Sequence, residues 1–447
     1  MVLKVLKFGG TSVTNGSREI IDIIAENKDN KLIIILSAFS DITNILHRYD
    51  KLSIKILIKR LKYIHDNFIE KYIKHPVQLH RQLNVLYDNL RHLLYYHEKS
   101  RQLDCIVNSY GEKCSVIIYN YFLKENGYQN LVIWSEYLIC TEDNYSDSFP
   151  YMISTKMCIR AFLKPRLKKH DIVLTTGFIG SNKNGCTTNL SRNGSDLSAT
   201  VIGSCLKPEQ IIIYKDVDGI MTCDPRKVPF AKLINTVNYK TISELCYFGS
   251  HVLHSQCLIP FKLRSIPLLI KNIFNKNSLG TLILEDHKSK STVDALTSIT
   301  DHAMLTIKGM GMNGFSGLLL NILKVIAEYN INIPFITQAS SEQNICLCIQ
   351  AKYANIVQIR LIETFENEID TSQIDSIDID DNIAIITVIG ENMIHRYGIA
   401  GIIFETLGKE HINIIAISQG SCERSISFII DKKDEIKALL LLHAIIL

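Results

Sequence analysis

Long apolar runs are missing from this 447-residue chain: 47% of it is apolar, yet no stretch reaches the roughly 18 residues of a membrane-spanning helix. No transmembrane helix is expected. Basic runs are missing too. The formal charge of +4 is spread along the chain, without a cluster of Lys and Arg interleaved with aromatics, so nucleic acid is not an expected partner and any phosphate affinity must be local. The twelve cysteines, scattered from Cys105 to Cys422, follow no regular framework. A chain of this size does not depend on disulfides for its core, which points to a reducing compartment. No secretory pattern opens the sequence, because Lys4 and Lys7 interrupt the apolar residues, and the cytoplasm is the expected location. The GxxxxGK[ST] loop is absent, as are the HRD and DFG sets, so neither a Walker-type phosphate cradle nor a protein-kinase site is expected.

What is present alternates. Apolar strands are expected at 2–8, 32–38, 131–135, 172–176 and 210–215, separated by helical patterns. Such alternation over nearly 300 residues predicts an α/β sandwich around a mainly parallel sheet. From about 44 to 121 the pattern is almost entirely helical, as in "LSIKILIKRLKYIHDNFIEKYI", and reads as a helical insertion or lid over one face. Near residue 300 the regime changes. Gly309, Met312, Gly317, Gln338 and Glu342 recur as Gly390, Met393, Gly398, Gln419 and Glu423, at one constant offset of 81 residues. Each copy reads strand, glycine-containing turn, amphipathic helix, strand, polar turn, strand, so two homologous α/β modules are expected. The acidic "ENEIDTSQIDSIDIDDN" between them reads as a linker or an edge segment. The very apolar "EIKALLLLHAIIL" must pack against something: the modules, another subunit, or a longer ancestral chain.

Three motifs carry chemistry. "KFGGTS" places Lys7 at the end of a strand, followed by Gly9 and Gly10, which have no Cβ to block a phosphate, and then by a helix N-terminus. "SRNGSD" offers Arg192, able to grip a carboxylate through two N–H groups; Ser195, able to cap a helix or bind substrate; and Asp196, which in isolation also reads as a helix N-cap. "KDVDGIMTCDPR" ends a strand in a turn with Asp216, Asp218, Asp224 and Arg226, suited either to a nucleotide's base and ribose or to a tight surface turn.

Taken in order, "KFGGTSV", "LSAFSDITN", "YGEKCS", "SRNGSD", "KDVDGIMTCDPR" and "FGSHVLHS" resemble the aspartate kinases of the amino-acid kinase superfamily, over essentially the whole chain. The wording is most similar to the aspartokinase half of bifunctional aspartokinase/homoserine dehydrogenases. The resemblance implies an amino-acid kinase αβα sandwich over about 1–290, then two ACT (βαββαβ-like) regulatory modules at 300–380 and 381–447. It implies transfer of the γ-phosphoryl of ATP, with Mg²⁺, to the side-chain carboxylate of L-aspartate. Lys7 would then bind the transferring phosphoryl in a cradle of Gly9, Gly10 and Ser12, and Asp196 would orient the lysine. Thr43, Glu112, Arg192 and Ser195 would hold aspartate, while Asp216 and Arg226 would contact ATP. Gln338 and Gln419 would bind threonine as feedback inhibitor, and the ACT modules would pair subunits into a homodimer or larger assembly.

The chain departs from that pattern on the nucleotide side. His251 replaces a lysine that contacts ATP, and Lys215 and Met221 replace a Thr and a Tyr. A histidine, mostly neutral at pH 7, holds phosphate more weakly; Lys215 is expected to restore part of the charge. Two other motifs lose on physical grounds. Cys246, His251, His254 and Cys257 are enough ligands for zinc, but helical spacing would not put all four on one face, so no residue is read as a metal ligand. "GMGMNG" fits GxGxxG, but the next strand ends in Gln338 and not in an acid, which argues against a dinucleotide site. The alternatives left open are another kinase of the superfamily, acting on acetylglutamate or a nucleoside monophosphate, and a catalytically weakened amino-acid-binding regulatory subunit.

Overall fold

The computed structural model describes residues 1–191, 193–248, 252–260, 265–289, 291–312, 317–338 and 343–447. They form two units: Met1–Ile220, Asn235–Tyr239 and Val252–His287 make the first, and Met221–Ile234, Lys240–His251 and Lys288–Leu447 the second. The stretches 221–234 and 240–251, which the sequence places in a continuous amino-terminal domain, thus belong with the second unit. The reason is apolar: Cys223 and Val228 are buried among Ile403, Leu407, Phe428 and Leu439.

The first unit is built on β1 (Leu3–Phe8), β2 (Lys31–Leu36), β3 (Leu131–Ile133), β4 (Ile172–Thr176), β7 (Gln210–Lys215), β8 (Thr236–Asn238), β9 (Leu268–Asn272) and β10 (Thr281–Leu284). They lie in the order β3-β4-β2-β1-β7-β9-β10-β8, with β9 and β10 the antiparallel pair in a sheet that is otherwise parallel. A short ribbon, β5 (Ile179–Ser181) with β6 (Thr187–Asn189), stands beside it. After β1 come α1 (Gly10–Asn15) and α2 (Ser17–Glu26); after β2 come α3 (Ile42–Leu46), α4 (Ile54–Tyr72), α5 (Val77–Tyr96) and α6 (Arg101–Glu125). Further on lie α7 (Met152–Cys158), α8 (Lys164–Leu167) and α9 (Gly194–Leu206), while α10 (Tyr239–Tyr247) falls almost wholly in the second unit.

The 44–121 region is no lid. Its helices bury Leu61, Phe68, Leu83 and Tyr119 in one continuous core with Leu6, Phe8, Leu32 and Ile34 of the sheet. The amphipathic stripes are wide enough to make this layer integral to the sandwich. On the opposite face α9 lies across β1, β2 and β7.

In the second unit the repeat is realised element by element. β12 (His302–Lys308), α11 (Leu318–Glu328), β13 (Phe335–Gln338) and β14 (Asn344–Gln350) recur 81 residues later as β16 (Ile383–Ile389), α14 (Ile399–Lys409), β17 (Ala416–Gln419) and β18 (Ser425–Asp431). Helix α12 (Ala351–Thr364) backs the first sheet and α15 (Glu435–Ile446) the second. The edge strands are exchanged. β11 (Ala295–Ile299) precedes the first module but pairs with β16, whereas β15 (Ser376–Asp380), its counterpart 81 residues on, pairs with β12. The acidic stretch is therefore a short helix, α13 (Glu366–Asp370), and an edge strand. The two sheets, β13-β14-β12-β15 and β11-β16-β18-β17, share a core of Met304, Phe335, Cys348, Ile383, Ile385 and Ile429. The terminal apolar run closes the second module, with Ala438, Leu439 and Leu442 of α15 buried in its core. Among the described residues β12, the strand before "GMGMNG", pairs antiparallel with β14 and β15, whereas a dinucleotide-binding βαβ unit is parallel. Among the described residues no helix is long and apolar enough to cross a membrane.

Candidate active site

Side chains along a strand alternate between faces. In β1 Leu6 and Phe8 point into the helical layer of α3–α6, which leaves Val5 and Lys7 for the other face, under α9. In β7, parallel to β1 with Lys7 opposite Ile213, Ile212 and Tyr214 share the first face, so Lys215 falls on the same side as Lys7. The two lysines thus rise from the carboxyl ends of neighbouring strands onto one spot. That spot is where the chain, having built β2, β4 and β3 on one side of β1, returns to build β7 on the other, the switch point at which open α/β sheets hold their ligands.

Asp196 meets both lysines. Its Oδ1 lies 2.5 Å from Lys7 Nζ and its Oδ2 lies 2.8 Å from Lys215 Nζ, with Asp196 fully buried. Asp196 is not a helix cap. Asn193 occupies the N-cap of α9, with φ 57°, and Asp196 sits inside the first turn. Burial alone would raise its pKa, but Lys215 and Lys7 overcome that and hold the carboxyl below its ordinary value. Lys7 is lowered, first by desolvation and further by the charge of Lys215, against the pull of Asp196. Two ammonium groups on one carboxylate leave a surplus positive charge out of water, a preorganised seat for an anion.

The fourth titratable group comes from α6. Gly111 has no room for a side chain: a Cβ there would sit 2.9 Å from Ala38 Cβ and 3.1 Å from Ile42 Cγ2. The helix can therefore press against the loop after β2, and Glu112 Oε1 accepts a hydrogen bond from Ala38 N at 3.3 Å. Burial pushes Glu112 up to about 8, and its Oε2 has no hydrogen-bond partner among the described residues. Gly177 plays the same part for α9, since a Cβ there would lie 2.5 Å from Ser195 Cβ. The approach loops carry three left-handed residues other than glycine: Asp41 (φ 68°), Phe178 (φ 67°) and Asn193 (φ 57°). Asp and Asn visit that region at modest cost, whereas for Phe it is an outlier that the surrounding fold must enforce.

Residues 3–272 match the amino acid kinase family, and residues 305–365 and 386–445 match an ACT domain. The chain belongs to the amino acid kinase family. It is 33% identical over 462 residues to the bifunctional aspartokinase/homoserine dehydrogenase of Buchnera aphidicola, a match covering 99% of this chain and 56% of that protein. The chain spans little more than half the length of the curated relatives first matched. Its fold is similar to aspartokinase III of E. coli in complex with aspartate and ADP, with a TM-score of 0.85, 25% identity and 99% of both chains covered. The same enzyme in complex with lysine and aspartate superposes with a TM-score of 0.83.

Within this amino acid kinase the expected site residues fall into groups. Lys7, Lys215, Asp196 and Glu112 gather in the first unit, with Ser195 buried beside Gly177 and Thr43 half-buried on α3. Ser12 Oγ donates to the Tyr214 carbonyl at 3.4 Å. Gly9 is a different case from Gly111. A Cβ at Gly9 would meet only ordinary contacts, 3.6 Å from Lys7 Nζ and from the Tyr214 carbonyl, so the glycine lies directly against the ammonium. Asp216 is exposed just beyond β7. Asp218 accepts from Asn272 and Asn275 at 2.8 and 3.0 Å and serves the turn. Met221 and Arg226 lie in the second unit, where Arg226 is paired with Asp224 of its own loop at 2.7 Å. Arg192 and His251 lie outside the described residues. Gln338 and Gln419 stand exposed at the equivalent ends of β13 and β17; Gln338 lines a cavity of about 270 Å³ with Met312, Leu318 and Ile345.

Sequence reasoning missed three participants. Tyr214 accepts the Gly9 N–H and stacks on Phe8 at 5.1 Å between ring centres. Cys257, read as a candidate zinc ligand, is buried close enough to influence Lys7. Gln256 accepts a hydrogen bond from Ser191 Oγ. No local pattern marks these residues, because what qualifies them is proximity across the sheet.

Proposed function

We propose that this chain is an aspartate kinase, transferring the γ-phosphoryl of ATP to the side-chain carboxylate of L-aspartate to give 4-phospho-L-aspartate, a first step toward threonine, methionine and lysine. The observation that carries the reading is the Lys7–Asp196–Lys215 cluster at the carboxyl ends of β1 and β7, with Gly9 against the Lys7 ammonium. The acceptor carboxylate is already ionised at pH 7, so the protein need not supply a base. Its task is to align the acceptor with the phosphoryl and to neutralise charge as the bond is exchanged.

Lys7, with Gly9, Gly10 and Ser12, takes the transferring phosphoryl. Asp196 holds Lys7 and Lys215 at fixed places, and Lys215 supplies charge that His251 does not. Glu112 faces the substrate's α-amino group, with Arg192, Ser195 and Thr43 completing the aspartate pocket. Asp216 serves the nucleotide. Mg²⁺ supplies charge neutralisation on the nucleotide's phosphate oxygens. The carboxylates fit an ion carried in that way and not a protein-built cage: Asp196 spends both oxygens on ammonium groups, and among the described residues no three His, Cys, Asp or Glu side chains form a metal-holding group. This matches the habit of Mg²⁺ to bind through one or two carboxylates plus phosphates.

The modules read as the regulatory part, with threonine as effector at Gln338 and Gln419. Apolar side chains left exposed on α11 and α12, among them Leu320, Ile356 and Ile359, suit pairing with a second copy. ATP turnover trapped as the hydroxamate tests the whole reading. Turnover is expected with aspartate and not with acetylglutamate or a nucleoside monophosphate, and with inhibition by threonine. Lysine, bound by the E. coli relative, is the comparison effector. ATP consumption that never depends on aspartate would refute the assignment.

A further inference from the structure

Two thiols away from the phosphate site meet in the first unit. Cys140 Sγ lies 3.4 Å from Cys158 Sγ, and both residues are half-buried. Their backbones are fastened independently of the sulfur atoms. Cys140 N donates to Thr155 Oγ1 at 3.0 Å, Tyr151 N donates to the Cys140 carbonyl at 2.8 Å, and Cys140 bridges to Ser181. Thr155 and Cys158 stand three apart on α7, hence on one face of the helix. The turn that grips the Cys140 peptide therefore also presents the Cys158 thiol to it.

We propose that Cys140 and Cys158 form a reversible disulfide that closes residues 141–157 into a loop. The oxidant is a small disulfide such as oxidised glutathione. The Cys158 thiolate attacks one of its sulfurs and releases one glutathione thiol; the Cys140 thiolate then attacks the mixed disulfide at Cys158 Sγ and releases the second. Two protein thiols lose two protons and two electrons, and one glutathione disulfide becomes two thiols. Burial and the neighbouring Cys158 push the Cys140 thiol up to about 12. This gives Cys140 the resolving part and makes closure slow at neutral pH and faster as pH rises.

The loop so closed braces the site from behind. Ser148 N donates to the Asn189 carbonyl at 3.0 Å, Asn189 N donates to the Tyr145 carbonyl at 2.9 Å, and Cys105 Sγ donates to the same carbonyl at 2.9 Å. Asn189 in turn bonds Asn108 through its side chain. Cys105 and Asn108 belong to α6, which carries Glu112, and Asn189 ends β6, which runs on toward α9 and Asp196. Oxidation removes freedom from the 141–157 segment and so stiffens both supports.

The test needs no activity assay and so stands apart from the proposed reaction. The full chain is equilibrated with reduced and oxidised glutathione at pH 8.5, alkylated and digested. The expected result is a joined peptide of Cys140 with Cys158, two hydrogens lighter than the separate peptides, reversed by dithiothreitol and absent from C140S and from C158S. The oxidised chain should melt about 5 °C higher than the reduced one, with no such shift in either variant. Full alkylation of both cysteines after oxidation, separate glutathione adducts on each, or joining of Cys158 to another cysteine would each overturn the proposal. Should one variant fail to fold, the other and the wild-type peptide map still decide it.

Discussion

At the ends of β1 and β7 a buried lysine and aspartate meet a half-buried second lysine, whereas the ends of β13 and β17 carry the neutral amides of Gln338 and Gln419 in the open. Both places end strands and both are proposed to bind an amino acid or a phosphate, so the contrast isolates what each must do. Buried charges are tolerated only while each has its partner, and in return they stand ready for a charged transition state without reorganisation. An exposed amide costs little to place and little to move, which suits a site that must respond to an effector and not perform chemistry.

The sharpest way to break the comparison is to unpair the buried cluster. Asp196→Asn should cost about 3–5 kcal/mol of stability, because two ammonium groups are left without their counter-charge. Aspartate-dependent turnover should fall at least about 10³-fold with the loss of positioning; calorimetry alongside the hydroxamate assay reads both. A variant as stable and active as the parent would show the cluster to be incidental.

Next come the lysine and the histidine that divide the nucleotide side. Lys215→Met should leave the chain folded, since Asp196 keeps Lys7, and should raise the KM for ATP by roughly 10-fold, the scale of one lost charge-assisted bond. His251→Lys should move it the other way. If the KM for ATP is unchanged in both, the charge-sharing account of Lys215 fails.

Glu112 gives an effect that depends on pH. Its carboxyl stands at about 8 in the folded chain and near 4.5 as a free side chain, so the folded state holds a proton that the unfolded state gives up. That contribution to stability is complete below about pH 4.5 and is lost as pH rises toward about 8. Deprotonation in the folded chain produces the carboxylate that faces an amino group, so the KM for aspartate should fall as pH rises through about 8. In Glu112→Gln both slopes should disappear; denaturation and kinetics at matched pH values would show it.

The smallest effects belong to the modules. Gln338→Ala and Gln419→Ala, both at exposed positions, should change neither stability nor turnover without effector by more than a few tenths of a kcal/mol. Each should weaken inhibition by threonine several-fold, measured as the concentration that halves turnover. Equal activity curves with and without these changes would separate the modules from regulation by threonine.

Much of this was legible from local pattern. The strand patterns put Lys7 and Lys215 each at the end of a strand, and the 81-residue offset predicts two copies of one module. The register of every repeated strand follows from that offset, because the same turns and the same apolar positions recur. Other features escaped because nothing local distinguishes them. Asp196 reads as a helix cap until α9 is laid across the sheet, Asp218 reads as a nucleotide contact until Asn272 and Asn275 claim it, and Gly111 and Gly177 matter only for what approaches them.

The edge strands mark the division most clearly. The sequence by itself determined two copies of strand, helix, strand and strand, since period-two apolar patterning and the constant offset lie within short stretches of chain; β11 and β15 lie just ahead of these copies. Only the tertiary structure decided that each would cross to the other module. Leu296 of β11 is buried in the core beneath α14 and α15, and Ile377 of β15 in the core beneath α11 and α12. A strand's backbone bonds are satisfied equally well by either sheet, and the choice rests on which core buries its side chains once both modules are assembled.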